Sequence, residues 1–165
     1  MIKTKQMFDQ AVQVIFKHEG GYVRNYNDPG GETNYGISER SYPEVDIYNL
    51  TKERAKAIYL RDYWKPLNLY MIDNANICLE LFDMAVNAGP SRSVKMAQKL
   101  AGTKEDGQLG GITANAINNF DGDFVKAFKH ARVIYYEHLA RDNSRLEIFL
   151  NGWKSRVENN YFINI

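Results

Sequence analysis

Glu19 and Asp28 are the two residues of this 165-residue chain best placed to do chemistry together. They lie in the segment from Lys17 to Ser38, KHEGGYVRNYNDPGGETNYGIS, which spends its residues on polar, aromatic and glycine positions rather than on packing. Glu19 falls at the end of a predicted helix, directly before two glycines, and Gly20 suits a left-handed helix cap. A carboxyl there faces the negative end of the helix dipole. Dipole and partial burial together favour its protonated form, which is what a general acid needs. The plainer reading of Glu19 is a solvated helix-end residue. Asp28, across the loop within Asn27-Asp28-Pro29-Gly30-Gly31, could serve the same chemistry or simply close an Asx-turn on its own backbone. Glu32, after Gly31, reads as an exposed residue without a role.

Few other residues compete. Asp83 and Asn87 stand one helical turn apart and share a face, as a structural hydrogen-bonding pair or as the floor of a polar cleft. Arg156 is a surface charge or reaches a buried acid. His130 and His138 are eight residues apart, whereas a helical zinc pair uses a spacing of three or four. Asp106 and Asp121 each precede a glycine, but the regular oxygen ligands of a calcium loop are missing. The single cysteine, Cys78, sits in an apolar run with no histidine placed beside it, which argues against a thiol nucleophile. GGETNYG lacks the lysine of a phosphate-binding loop, and no GxGxxG follows a strand. No metal and no cofactor are expected.

The elements that must position these residues read as helices. Phe8, Ala11, Val12, Ile15 and Phe16 recur at helical spacing and predict a first helix from about Thr4 to Glu19. Gly21 to Ser38 reads as turns with a short hairpin. Thr51 caps a helix through Ala55, Ile58 and Tyr59, with Tyr63 and Trp64 on its core side and Pro66 ending it. Asn74 to Ala88 forms a third helix with a wide apolar face, closed by Gly89-Pro90. Ser91 caps a short helix that Gly102 stops, and Thr113 starts another. Two longer helices follow, about Asp123 to Arg141 and Ser144 to Tyr161, with Trp153 in the core. The fold class is mainly α, with a small β-hairpin or irregular loop after the first helix.

Composition bounds the rest. The chain suits one compact domain over 1–165, with 44% hydrophobic and 25% charged residues. Its net charge of +1 gives no reason to expect nucleic acid as a partner. One cysteine permits no internal disulfide and fits a reducing compartment. No apolar run is long enough for stable membrane insertion, and the N-terminus does not read as a signal peptide. The basic residues Arg141, Arg145, Lys154 and Arg156 are interleaved with acids, as on a solvated helix face. Aromatics make up 13% of the chain, with 11 tyrosines. They fill cores and also stack on sugar rings.

With these residues in view, the chain resembles a known family. His18-Glu19-Gly20-Gly21-Tyr22, followed by Asp28-Pro29-Gly30-Gly31-Glu32-Thr33-Asn34-Tyr35-Gly36-Ile37, looks like the signature of glycoside hydrolase family 108, the bacterial and phage N-acetylmuramidases. Tyr59 to Trp64 and Leu81-Phe82-Asp83-Met84-Ala85-Val86-Asn87-Ala88-Gly89 resemble its next segments. Gln98-Lys99-Leu100, Asp106-Gly107-Gln108-Leu109-Gly110 and Gly152-Trp153-Lys154-Ser155-Arg156 resemble the small region described as a predicted peptidoglycan-binding domain. The resemblance implies a lysozyme-like fold, with a catalytic lobe over 1–90 and a helical peptidoglycan-binding region over 91–165 packed on it. It implies hydrolysis of the bond between N-acetylmuramic acid and N-acetylglucosamine in peptidoglycan, with Glu19 as the catalytic acid. A lytic transglycosylase and a non-catalytic peptidoglycan-binding protein are the rival readings.

The segment is also similar to the Glu–Asp–Thr arrangement of phage lysozymes. That likeness implies Asp28 as the second member, either Thr33 or Asn34 as the third, and Arg156 as the partner of Glu19. Tyr22, Asn34, Tyr35, Asp83 and Asn87 are then expected to line the sugar groove. A monomeric endolysin is the expected setting. It would collect in the host bacterial cytoplasm and depend on a holin or another export route to reach the periplasmic wall.

Overall fold

The computed structural model describes residues 2–24 and 31–160. Asp28 lies outside the described residues. Helix α1 runs over Ile2–Glu19, two residues longer at its start than its spacing predicts. Phe8, Ala11, Val12, Ile15 and Phe16 are all buried, so the apolar stripe faces the core. A three-stranded antiparallel sheet follows, β1 (Val23–Arg24), β2 (Glu32–Asn34) and β3 (Ile37–Ser38), in the order β1-β2-β3. Thr33 pairs with Val23 on one side and with Ser38 on the other. The β2–β3 hairpin closes through Tyr35 and Gly36, with φ of 51° and 75°. Positive φ at both loop residues is the pattern of a type I′ turn, which matches the twist of its strands.

Helix α2 covers Lys52–Tyr59, with the Thr51 side chain accepting from the Arg54 amide at 3.2 Å. It runs straight into a π-helical turn, Leu60–Trp64, which carries Trp64 into the core. There Trp64 meets Phe82 edge-on at 5.1 Å and Phe8 at 5.4 Å. Helix α3, Ala75–Ala88, is the centre of the molecule: every residue from Ile77 to Ala85 is buried. Helix α1 packs on it, and so do α4 (Pro90–Leu100) and α6 (Phe124–Asp142).

Gly89-Pro90 closes α3 at Ala88 as its letters suggest, but Ser91 is not the cap of the next helix. Gly89, at φ 94°, makes a sharp corner, and Pro90 occupies the first position of α4. Proline is well tolerated there, where its missing N–H would have had no partner. Helix α5, Gly111–Asn118, begins two residues before Thr113. Helix α6 ends at Asn143, a 3₁₀ turn spans Ser144–Leu146, and α7 (Glu147–Glu158) returns along α6.

Asn34 is a structural residue. It is 7% exposed, and its side-chain amide donates to the carbonyls of Ile47 and Leu50 at 3.2 and 3.4 Å. Those bonds tie the hairpin to the loop before α2. Asn34→Ala leaves both carbonyls short of a donor, so unfolding in urea should show a loss of about 1–3 kcal/mol. A stability within experimental error of wild type would remove this tie.

Candidate active site

Glu19 closes α1, and Gly20 turns the chain away with φ 72°. The left-handed turn removes the next residues from the axis and leaves the carboxyl at an open helix end. Its side chain is 20% exposed, so it is accessible without being fully solvated. Arg156, from the far end of the sequence, donates through Nη1 to Glu19 Oε1 at 2.6 Å. Contact between the two depends on α7 lying back across the end of α1.

Behind Arg156 lies a row of buried charges. Its Nε donates to Asp83 Oδ1 at 2.9 Å, and Nη2 lies 2.9 Å from the same oxygen without hydrogen-bond alignment. Arg132 of α6 donates to Asp83 Oδ2 and to Glu80 Oε2, each at 2.5 Å. Asn160 donates to Glu80 Oε1 at 3.0 Å, and its Oδ1 accepts from His18 Nε2 at 2.9 Å. Lys129 stands 3.6 Å from Glu80. Burial pushes the Asp83 carboxyl up, but the two guanidiniums outweigh it and hold it below the ordinary carboxylate range. Glu80 is pushed up by burial, which Arg132 and Asn160 only partly offset.

The other side of Glu19 is closed by the hairpin. A Cβ on Gly36 would come within 2.6 Å of Glu19 Cγ, 2.7 Å of Glu19 Oε2 and 2.5 Å of the Tyr59 hydroxyl. Only glycine fits, both for this approach and for its positive φ. The Tyr59 hydroxyl donates to the Tyr35 carbonyl at 2.8 Å and so fixes the turn against the acid. Burial, with the Glu19 carboxylate nearby, pushes the Tyr59 phenol well above its usual value.

Not every expected groove residue lines a groove. Asp83 is fully buried in the charge row and cannot touch a saccharide. Asn34 is buried in the hairpin tie, for the reason given above. Thr33, half-buried on β2, points to the face opposite Asn34. Tyr35 is half-buried, its ring edge-on to Phe16 at 5.4 Å. Tyr22 is exposed and meets Tyr48 edge-on at 5.4 Å. Asn87 donates to the Tyr136 hydroxyl at 2.6 Å and lines a pocket of about 340 Å³ with His18, Trp153, Ser155, Arg156 and Asn159. Trp153, expected in the core, is only partly buried: it stacks on Tyr136 at 5.1 Å and forms one wall of that pocket.

Arg132, Glu80 and Asn160 carry no motif signal, yet Arg132 could have been found. Phe124, Phe128, Arg132, Tyr136 and Ala140 recur every four residues, and all are buried. A charged residue within such a stripe requires a buried partner.

Comparison with known proteins gives the family. Residues 12–89 match the family described as glycosyl hydrolase 108, and residues 92–158 match a predicted peptidoglycan domain. Twelve chains of solved structures match. One is the structure of Brucella abortus SagA, at 31% identity and a TM-score of 0.79, covering 93% of this chain and 91% of that one. No curated protein matches. The chain belongs to glycosyl hydrolase family 108 and carries a predicted peptidoglycan domain after the hydrolase domain. Among the described residues, no helix is long and apolar enough to cross a membrane.

Gly36→Ala should displace the Glu19 carboxyl. Because misplacing a reacting group by about 1 Å can cost ~10²-fold, hydrolase kcat should fall by about that factor. A crystal structure of the variant should show the Glu19–Arg156 contact broken or lengthened. Wild-type kcat in this variant would mean the close approach is irrelevant to turnover.

Proposed function

We propose that this hydrolase is an N-acetylmuramidase. It cleaves the β-1,4 bond between N-acetylmuramic acid and N-acetylglucosamine in peptidoglycan, and Glu19 is its general acid. The observation that carries the reading is the placing of Glu19: a partly exposed carboxyl at a helix end, gripped by Arg156 on one oxygen, with the other beside the Tyr35–Gly36 turn. The match of residues 92–158 to a predicted peptidoglycan domain supports the substrate class.

Arg156 occupies Oε1 as a donor, so the transferable proton belongs on Oε2, the oxygen beside the Tyr35–Gly36 turn. Glu19 passes that proton to the bridging oxygen as the bond to the anomeric carbon breaks. The oxocarbenium-like centre then takes oxygen from water, and the proton that water loses completes the balance. Asp28 orients that water or steadies the cation, and Thr33 helps to place it. Tyr22, Tyr35 and Asn87 border the glycan strand. The commitment of the Asn34 amide to the hairpin supports Thr33 as the third member.

The same proposal includes an endolysin setting. The enzyme accumulates in the host bacterial cytoplasm as a monomer and meets the periplasmic wall after a holin opens the membrane.

Mass spectrometry of muropeptides released from purified murein tests the reading. Reducing N-acetylmuramic acid ends are the expected product. Anhydro-muramic ends would make the protein a lytic transglycosylase, and unchanged murein would remove the catalytic assignment.

A further inference from the structure

The acid and the groups that hold it come from opposite halves of the chain. Glu19, Glu80 and Asp83 belong to the stretch matched to the hydrolase family, and Arg132 and Arg156 to the stretch matched to the peptidoglycan domain. These five charges alternate in sign from Glu80 through Arg132, Asp83 and Arg156 to Glu19.

A free arginine side chain samples many rotamers. Here that freedom is removed at one end: Asp83 takes the Nε edge of Arg156, which leaves Nη1 aimed at Glu19. Asp83 stays ionised in a fully buried place because Arg156 and Arg132 each support one of its oxygens. A packing role alone would be served as well by apolar residues of similar volume, which often equal or exceed a buried ion pair in stability.

We propose that the C-terminal helical region is a working part of the active site. Arg156 is a positioning clamp on Glu19, itself set by Asp83 and Arg132, so this region contributes to turnover and not only to holding the wall. The assignment rests on Glu19 being the acid. Among the described residues, the charged and titratable groups around Glu19 are Arg156 from α7, Asp83 behind it on α3, Tyr59 from α2 and His18 on α1.

The test uses the full-length Asp83→Asn protein with two readouts. The first is a crystal structure of the variant, which needs no activity. Without the Asp83 carboxylate to hold its Nε edge, Arg156 should shift, and the 2.6 Å contact of its Nη1 with Glu19 Oε1 should lengthen or break. The second is steady-state cleavage of soluble glycan strands: kcat should fall by ~10-fold or more with KM nearly unchanged, the pattern of a contact that matters in the transition state. Arg156→Lys keeps the charge but cannot bridge two carboxylates, and should lower kcat in the same way even where Asp83→Asn fails to fold. Wild-type kcat in the folded variants overturns the clamp. A broken Arg156–Glu19 contact in the variant beside a wild-type chain that cleaves no murein would instead overturn the muramidase reading and leave the coupling of the two halves standing.

Discussion

Two carboxylates on a helix that is buried all round cannot be left alone. Glu80 and Asp83 sit in the middle of α3, and an uncompensated charge there would cost several kcal/mol. The fold answers with Arg132 from α6 and Arg156 from α7. That requirement decides where the last two helices must lie. Once α7 is held over α3, Arg156 reaches the end of α1 as well, and Glu19 acquires its partner. The same pairing that makes the core tolerable therefore builds the site.

The hairpin supplies the opposite wall by a different physical means. It uses the lack of a side chain. Gly36 lets the β2–β3 turn come against Glu19 and Tyr59, and the Tyr59 hydroxyl pins the turn through the Tyr35 carbonyl. Glu19 is thus held electrostatically on one oxygen and sterically beside the other. A helix end alone would leave a glutamate side chain free to swing. Here the carboxyl has one direction to face, and a general acid needs that to meet the bridging oxygen of a glycan strand.

Much of this was legible in the letters, for stated reasons. The amphipathic stripe of α1, the Thr51 cap and the glycine after Glu19 are local signals, and local signals determine local structure. The pairing of Arg156 with Glu19 joins residues 137 positions apart. Only the likeness to lysozymes pointed to it, because spacing carries no information at that distance. Asp83 was misplaced since a polar pair on one helix face looks the same whether it meets water or an arginine. Asn34 was misplaced because its side-chain amide resembles a sugar-binding group, while its actual partners are backbone carbonyls before α2. Gly89-Pro90 was legible as the end of α3, whereas the start of α4 at Pro90 was not, because it depends on the corner that Gly89 makes.

All of this turns on a proton carried by one carboxyl, and a single isosteric change interrogates it most directly. The rate of reducing-end release from purified murein by Glu19→Gln, compared with wild type at equal murein binding, separates the acid from the fold. The account predicts a fall of ~10²–10⁴-fold, the range for losing general acid catalysis, with binding and melting temperature retained. A rate close to wild type would contradict it.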